Sequence, residues 1–233
     1  MAEIRNPTAI GPQAYERWRA TSLGSLTEIL EERLVLALIG DLSNTRFLDA
    51  GCGDGALLCA AAARGAEVTG VDPDHSMLSA ARKRLAAAGV RATLLEGRVE
   101  QLPFPNASFD VVAANTVLCF VSNASSAVRE MARVLRPGGR LVLGELGRWS
   151  VWAGRRRIRG WLGDSTWRAA RFRSIGELRA LAAQAGLSIA ASRGAVFYPP
   201  IGMIARILAP LDSRLGRFTT LGAAFIAVSA VKT

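Results

Sequence analysis

The chain has 233 residues, half of them apolar, and its 29 basic and 19 acidic residues give a net charge of +10. A chain of this length and apolar content can bury one sizeable core, which favours a single domain over two. Its three cysteines lack metal-ligand spacing and its first residues lack an apolar signal segment, so we expect a cytoplasmic protein with no metal site.

The positive charge does not by itself indicate a nucleic-acid partner. Lys83 and Lys232 are the only lysines, so a bias towards arginine explains the charge better than a phosphate-binding design does. The basic residues are concentrated in one segment, 148–173, which is considered below.

The first predicted elements are an arm and a helix. Residues 1–22 form an arm that contains Tyr15 and Trp18. Residues 25–39 have the apolar spacing of an amphipathic helix, and Ser25 or Thr27 is its expected N-cap.

The sequence from Phe47 to Gly55 is an apolar strand that ends in an acidic residue and continues into a glycine-rich turn. Residues 56–64 then have the alanine and leucine content of a helix. The glycines allow positive φ and leave room for a ligand beside the unpaired N–H groups of the helix start. This is the first strand, turn and helix of an α/β nucleotide-binding unit.

Two ligands fit this turn. The glycine spacing, with Asp72 about 20 residues further on, satisfies the relaxed dinucleotide fingerprint and leaves a nicotinamide-dependent oxidoreductase as an alternative. Asp49, Asp54 and Asp72, however, would place negative charge around the turn, which disfavours a pyrophosphate. The same charge suits a ligand with an ammonium, a sulfonium and a ribose diol, and therefore favours S-adenosylmethionine.

The chain continues with alternating strands and helices as far as residue 146. Asp72 and Asn115 end the second and fourth strands, at the edge of a parallel sheet where ligands bind. The predicted elements are strands at 66–71, 90–95, 109–114 and 140–146 and helices at 76–88 and 123–135.

Five motifs, taken together and in this order, resemble those of the class I S-adenosylmethionine-dependent methyltransferases, in the broad group that acts on small molecules. The resemblance covers roughly residues 46–146. It implies a Rossmann-like α/β fold, a seven-stranded and mostly parallel sheet with an antiparallel edge strand and helices on both faces, and the cofactor S-adenosyl-L-methionine. The motifs are LDAGCGDG at 48–55, VD at 71–72, EGRVEQLPF at 96–104, SFD at 108–110 and RVLRPGGRL at 133–141.

The resemblance also implies which residues bind the cofactor, with one departure. An Asp usually follows Gly97 in the family and binds the adenine amino group, but this chain has Arg98, which has only donors. The adenine contact is therefore expected from main chain near Arg98 and Val99 or from another side chain, with Arg98 stacked on the ring or pointing outward. The implied cofactor residues are Asp49, Gly51, Cys52, Gly53, Asp72, Pro73, Arg98, Val99 and Asn115.

Residues 148–173 lie where this family inserts a substrate lid. The segment has four tryptophans and eight arginines against one acid, Asp164. It predicts an amphipathic lid over an apolar pocket, or a surface that contacts an anionic membrane. Gly154, Gly160 and Gly163 are expected to interrupt it, so a single long helix is not predicted.

The C-terminal part is predicted to complete the sheet. A helix at 174–185 precedes strands at 187–197 and 220–231, which pair antiparallel at one edge, with a Pro-bounded apolar segment at 198–211 between them. The single domain 1–233 then consists of a cap (1–40), a cofactor-binding core (41–147), a lid (148–173) and a C-terminal part (174–233).

The sequence after Asn115 is mostly apolar and lacks the Asn-Pro-Pro-Tyr or Asp-Pro-Pro-Tyr run of base-amine methylases. We therefore expect a small apolar or amphiphilic acceptor and no nucleic acid, with peripheral contact to an anionic membrane left open. In-line displacement at a sulfonium needs alignment more than a base, so Tyr15, Asn115 and Glu145 are only candidate catalytic groups. A non-catalytic cofactor-binding protein at a membrane surface is the second alternative.

The residues expected to contact the acceptor are mostly aromatic. In the resembling family a Tyr-x-x-Trp arm closes over the cofactor, and Tyr15 and Trp18 match it, although both could instead pin the arm to the core. The candidates are Tyr15, Trp18, Phe120, Trp149, Trp152 and Tyr198.

Overall fold

A computed structural model describes residues 11–233 of the chain. In chain order the helices and strands are α1 (Pro12–Arg19), α2 (Ser22–Ile39), β1 (Arg46–Ala50), α3 (Ala56–Ala62), β2 (Glu67–Asp72), α4 (His75–Ala87), β3 (Ala92–Glu96), β4 (Phe109–Asn115), α5 (Ala124–Val134), β5 (Leu135–Leu146), α6 (Val151–Trp161), α7 (Ser165–Ala169), α8 (Ile175–Gln184), β6 (Leu187–Ala195), α9 (Gly202–Phe218) and β7 (Phe225–Lys232).

All seven strands form one sheet in the order β3-β2-β1-β4-β5-β7-β6. Strands β1 to β5 pair in parallel, and β7 is antiparallel to both β5 and the outermost strand β6. The predicted seven-stranded, mostly parallel Rossmann-like sheet is therefore confirmed. The strand order reverses between β1 and β4, so a crevice opens at the carboxyl ends of these two strands.

Helices cover both faces of the sheet, as predicted. Helices α2, α3, α4 and α9 contribute to the apolar core on one face, and α5 and α8 contribute to the core on the other. Successive residues of β1 alternate between the two, because side chains in a strand alternate in direction: Phe47 lies in the first core and Leu48 in the second. The central strands are thus buried on both sides, as a parallel sheet requires.

Helix α2 begins earlier than the sequence predicted. Thr21, not Ser25 or Thr27, is its N-cap, because the Thr21 hydroxyl accepts the N–H of Gly24. Thr27 lies inside the helix and donates to the carbonyl of Leu23. Its buried hydroxyl therefore serves tertiary packing instead of helix initiation.

The segment 148–173 folds as two helices, α6 and α7, and not as one. Gly154 and Gly160 lie within α6, and only Gly163, with φ 111°, stands at a break between helices. The prediction that all three glycines interrupt the segment is therefore wrong for two of them. The two ends of the segment lie next to each other at the end of β5, because Gly147 and Arg173 form an isolated parallel bridge.

The apolar segment predicted at 198–211 contains the first part of a 17-residue helix, α9, with Pro210 inside it. The helix is fixed to the end of β6 by Asp212, whose carboxylate accepts the N–H groups of Val196 at 2.9 Å and Phe197 at 2.8 Å. This helix was not predicted because an internal proline usually ends a helix.

Candidate active site

The glycine-rich turn is held against β2 and leaves main chain accessible. The N–H groups of Gly51 and Cys52 both donate to the carbonyl of Val71, at 2.7 and 3.0 Å. A side chain at Gly51 would collide with Val117, whose Cγ2 lies 2.4 Å from the Cβ position, whereas a Cβ at Gly53 would meet nothing within 4 Å. Packing thus requires Gly51, and bare main chain at Gly53 is open to a ligand.

Asp72 stands beside this turn at the end of β2 and is 8% exposed. Its two carboxylate oxygens accept the N–H groups of Gly53 and Asp74, each at 2.9 Å. Burial raises the pKa of Asp72, and these two hydrogen bonds oppose the rise. Because a carboxylate oxygen can accept more than one hydrogen bond, both oxygens remain able to accept from the two hydroxyls of a ribose.

Asp49, at the carboxyl side of β1, is 2% exposed. Within residues 11–233 its Oδ1 has no hydrogen-bond partner. Burial, followed by the charges of Asp72 and Asp54, raises the pKa of Asp49 to about 8. A buried polar atom of this kind is costly unless a ligand satisfies it, and a cationic group would also favour the ionised carboxylate. The site therefore fits the ammonium and sulfonium groups of S-adenosylmethionine.

Asp54 does not share this role, although the sequence analysis grouped it with Asp49 and Asp72. Its carboxylate is bound by the guanidinium groups of Arg19 and Arg84. Burial acts to raise the pKa of Asp54, but these hydrogen bonds and charges outweigh it and lower the pKa. Asp54 therefore joins the glycine turn to α1 and α4 instead of adding charge for a ligand.

The segment after β3 lies next to Asp72, because the N–H of Gly97 donates to the Asp72 carbonyl at 3.2 Å. Arg98 is exposed and its guanidinium pairs with Glu100 at 3.1 Å, while Val99 is buried. Pro73, which follows Asp72, is also exposed. The structure thus brings main chain of this segment to the site and directs the Arg98 guanidinium to Glu100.

The carboxyl end of β4 contains a strained residue that the sequence analysis did not identify. Thr116, directly after the half-buried Asn115, has φ 58°, a conformation that is unfavourable for a β-branched side chain. The N–H of Thr116 donates to the Gly144 carbonyl at 2.8 Å, which holds the bend. Such strain is concentrated at functional sites, and no sequence pattern marked it.

Glu145 supports the loop that follows this bend. It is fully buried, and its Oε1 accepts the N–H of Leu118 at 2.6 Å. Burial raises the pKa of Glu145 to about 7, while the Leu118 amide and the charge of Arg173 oppose the rise. The candidate catalytic carboxylate thus lies beneath residues 117–120, where it positions the loop.

The arm lies over the turn with its aromatic residues in contact. The rings of Tyr15 and Trp18 are 5.8 Å apart in an edge-to-face arrangement, and the Arg19 guanidinium lies 4.6 Å from the centre of the Tyr15 ring. Burial, followed by the charge of Glu31, raises the pKa of Tyr15 above its ordinary value. The phenol therefore stays protonated at neutral pH and is suited to donate a hydrogen bond, not to remove a proton.

The segment 148–173 is anchored by Trp152, whose indole N–H donates to the Tyr198 carbonyl at 2.8 Å. Tyr198 is itself buried, with its hydroxyl 3.1 Å from that of Thr27. Phe120 packs against a small apolar cluster that contains Ala153 of α6. Trp149, in contrast, is 62% exposed and is not part of this group.

Arg156 is held between two indoles of the lid. Its guanidinium lies 5.2 Å from the ring centre of Trp152 and 4.6 Å from that of Trp167. With the residues of the range 11–233 it makes no hydrogen bond or ion pair. A cation fixed by stacking alone keeps its N–H donors available for another group.

Ionisable side chains from α1, α2 and the loop after β4 lie around Arg156. Burial lowers its pKa, and Glu31 of α2, Cys119 after β4 and Tyr15 of α1 oppose that change. Burial raises the pKa of Glu31 to about 7 against the charge of Arg156. Neither Glu31 nor Arg156 was predicted as a site residue, because nothing in the sequence distinguishes Arg156 from the other seven arginines of the segment 148–173.

The chain is similar to known methyltransferases. The methyltransferase-domain family matches residues 48–143. A ubiquinone biosynthesis O-methyltransferase of Idiomarina loihiensis is 33% identical over 172 residues, which cover 70% of each chain. An uncharacterized protein of Mycobacterium tuberculosis is 32% identical over 218 residues, which cover 94% of this chain and 71% of that one.

A solved structure extends the similarity to the whole fold. The crystal structure of an S-adenosylmethionine-dependent methyltransferase from Thermotoga maritima superposes with a TM-score of 0.71 at 26% identity, covering 95% of both chains.

Proposed function

The chain belongs to the S-adenosylmethionine-dependent methyltransferases of the methyltransferase-domain family, and we propose that its acceptor is a small apolar or amphiphilic molecule enclosed by α1, α6 and α7. The enzyme uses S-adenosyl-L-methionine to methylate a small molecule. This family assignment replaces the nicotinamide-dependent alternative.

For the cofactor we propose a binding site made of two carboxylates and bare main chain. Asp49 accepts a hydrogen bond from the cationic amino-acid part, and Asp72 accepts from the ribose hydroxyls. The Oδ1 of Asp49, which has no hydrogen-bond partner among the described residues, and the open space at Gly53 support this assignment. The remaining residues of the proposed site are Gly51, Cys52, Pro73, Arg98, Val99 and Asn115.

The proposal for the acceptor is based on the position of Arg156. Within residues 11–233 its guanidinium has no hydrogen-bond or ion-pair partner. It lies among aromatic side chains, and the carboxylate of Glu31 is close enough to affect its pKa. Pockets for small molecules are mostly apolar, with a few polar groups that set orientation. We assign Arg156 to a polar or anionic group of the acceptor, and Trp152 and Phe120 to its apolar body.

The proposed reaction requires the protein mainly to align the acceptor with the methyl group of the cofactor. When bound, the cofactor supplies a methyl group with a good leaving group. Glu31, with a pKa raised to about 7, is able to accept a proton from an acceptor hydroxyl or amine at neutral pH. The lid and arm exclude water from the reacting groups. We propose that Trp18 of the arm contacts the acceptor, whereas Tyr198 positions Trp152.

The test is an acceptor screen in which release of S-adenosylhomocysteine is measured for wild type, Arg156→Gln and Arg155→Gln. Arg155 is an exposed arginine of the same helix and serves as the matched control. We expect Arg156→Gln to raise KM for the best acceptor about tenfold or more, which is about 1.4 kcal/mol, with cofactor affinity unchanged. Equal KM values for the two variants, or a nucleic acid as the best acceptor, would refute the proposal.

A further inference from the structure

Helix α9 exposes most of its large apolar side chains, and none of them is fully buried. The residues on its buried side are Ala205, Asp212 and Gly216, and a Cβ at Gly216 would lie 2.0 Å from the Gly194 carbonyl oxygen of β6. The helix thus rests on the sheet through its smallest residues. This is the reverse of an ordinary surface helix, in which the large apolar residues face the core.

The exposed side of α9 forms a continuous apolar stripe. Its members follow each other at intervals of three or four residues, so they share one helix face. Phe218 is 89% exposed, the highest value among them. We name this stripe the α9 face; it consists of Met203, Ile207, Leu211, Leu215 and Phe218.

The α9 face continues onto the lid. The N–H of Gly222 donates to the Trp149 carbonyl at 3.0 Å, which places the exposed side chains of Leu221 and Trp149 on neighbouring segments. Within residues 11–233, Ile29 is the only exposed large apolar residue outside 149–162 and 201–221. Monomeric proteins rarely concentrate exposed apolar residues in this way without a partner.

The exposed charges of α9 are all positive. Arg206, Arg214 and Arg217 are exposed on α9, and its one acid, Asp212, is buried beneath the helix. Helix α6 also contains four arginines and no acid. Apolar side chains bordered by cations are the composition of a helix that lies in the interface of an anionic bilayer.

We propose that the α9 face, together with Trp149 and Leu221, docks on the surface of an anionic lipid bilayer. A second copy of the chain is the competing occupant. A twofold interface would bring the arginines of α9 against those of its partner, and like charges across an interface are unfavourable. No helix within residues 11–233 is both long and apolar enough to cross a membrane, so the contact would be peripheral.

The test is flotation of the full chain with vesicles of phosphatidylcholine alone and with about one third phosphatidylglycerol. We expect binding only to the anionic vesicles, and less of it at high salt because exposed charges are screened. The triple variant Ile207→Ser/Leu211→Ser/Phe218→Ser should lose about tenfold or more in binding. Arg214→Gln/Arg217→Gln should weaken it as well.

Two control variants test whether vesicle binding depends on this surface in particular or on the charge and exposed apolar residues of the chain in general. Arg82→Gln/Lys83→Gln removes two exposed charges from α4, next to β3 at the opposite edge of the sheet. Ile29→Ser removes an exposed apolar residue that is not part of the α9 face or the lid. Both should bind vesicles as wild type does.

Cofactor affinity, measured by calorimetry, should be the same in every variant, so failure of the lipid proposal would leave the methyltransferase assignment intact. The proposal is overturned if wild type does not bind anionic vesicles, or if the triple variant binds as well as wild type. It is also overturned if the triple variant converts a dimer into a monomer, because a second copy would then cover the face.

Discussion

Both terminal nitrogens of Arg19 donate to the carboxylate of Asp54, one of them at 2.9 Å. This paired contact attaches α1 to the glycine-rich turn that is the proposed cofactor site. The same guanidinium also binds Glu28 of α2, so one side chain connects the arm, the helix behind it and the turn. The position of the arm over the site therefore depends on a charge network and not only on its aromatic residues.

The first prediction concerns this network. Arg19→Gln should release the arm, so limited proteolysis near residues 12–19 becomes faster, and cofactor affinity should fall about threefold to tenfold, or up to about 1.4 kcal/mol. Arg17→Gln, at an exposed position of the same helix, should change neither. Identical cleavage rates in wild type and Arg19→Gln would show that the contact does not hold the arm.

The second prediction concerns the stability of the free enzyme. The pKa of Asp49 is about 8 in the folded chain and about 3.9 when unfolded, so between these values unfolding releases a proton. The free energy of unfolding should therefore decrease as pH rises through this window. Asp49 contributes up to about 1.4 kcal/mol per pH unit to this decrease. Urea unfolding at about pH 5.5 and about pH 7.5 should show a smaller pH-dependent loss of stability for Asp49→Asn than for wild type. An equal loss in both proteins would contradict the raised pKa.

The third prediction uses the same carboxyl group during binding. At about pH 6.5 free Asp49 is mostly protonated, and a cationic ligand beside it should lower its pKa, so that binding of S-adenosylmethionine releases close to one proton. Calorimetry in buffers with different ionisation enthalpies measures this number. Asp49→Asn should release none and bind more weakly. Equal proton release by the two proteins would place the ligand's positive charge elsewhere.

The fourth prediction tests the proposed ribose contact. Asp72→Ala should weaken cofactor binding by roughly 1.5 to 3 kcal/mol, the size of hydrogen bonds to a charged group. Glu67→Ala, an exposed acid at the other end of β2, is the control and should bind normally. Calorimetry on folded protein decides the question, and unchanged affinity in Asp72→Ala would rule out the assignment.

The fifth prediction concerns the position where the usual adenine-binding acid is absent. Because the Arg98 guanidinium is exposed and paired with Glu100, we expect adenine to be bound by main chain at Arg98 and Val99. Arg98→Ala should then keep cofactor affinity within about tenfold, or about 1.4 kcal/mol. A loss of several hundredfold would mean that the guanidinium itself makes an essential contact.

The sequence alone determined the features that depend on neighbouring residues. The order of strands and helices from 46 to 146 follows from apolar periodicity and turn residues, and the glycine turn with Asp49 and Asp72 follows from local spacing. Such features can be predicted from sequence because backbone conformation is set over a few residues. The start of α2 and the existence of α9 were not predicted: Thr21 caps α2 ahead of Ser25 and Thr27, and Asp212 fixes α9 to the end of β6 although Pro210 lies inside the helix.

Only the tertiary structure decided which charges are free. Three aspartates near the turn are equivalent in sequence, but Arg19, from 35 residues earlier in the chain, binds Asp54, whereas the Oδ1 of Asp49 has no partner in the part of the chain that the structure describes. In the same way the stacking of Trp152 and Trp167 sets Arg156 apart from its neighbours. The availability of a charge depends on burial and on partners far away in sequence, so it can be read only after the chain has folded.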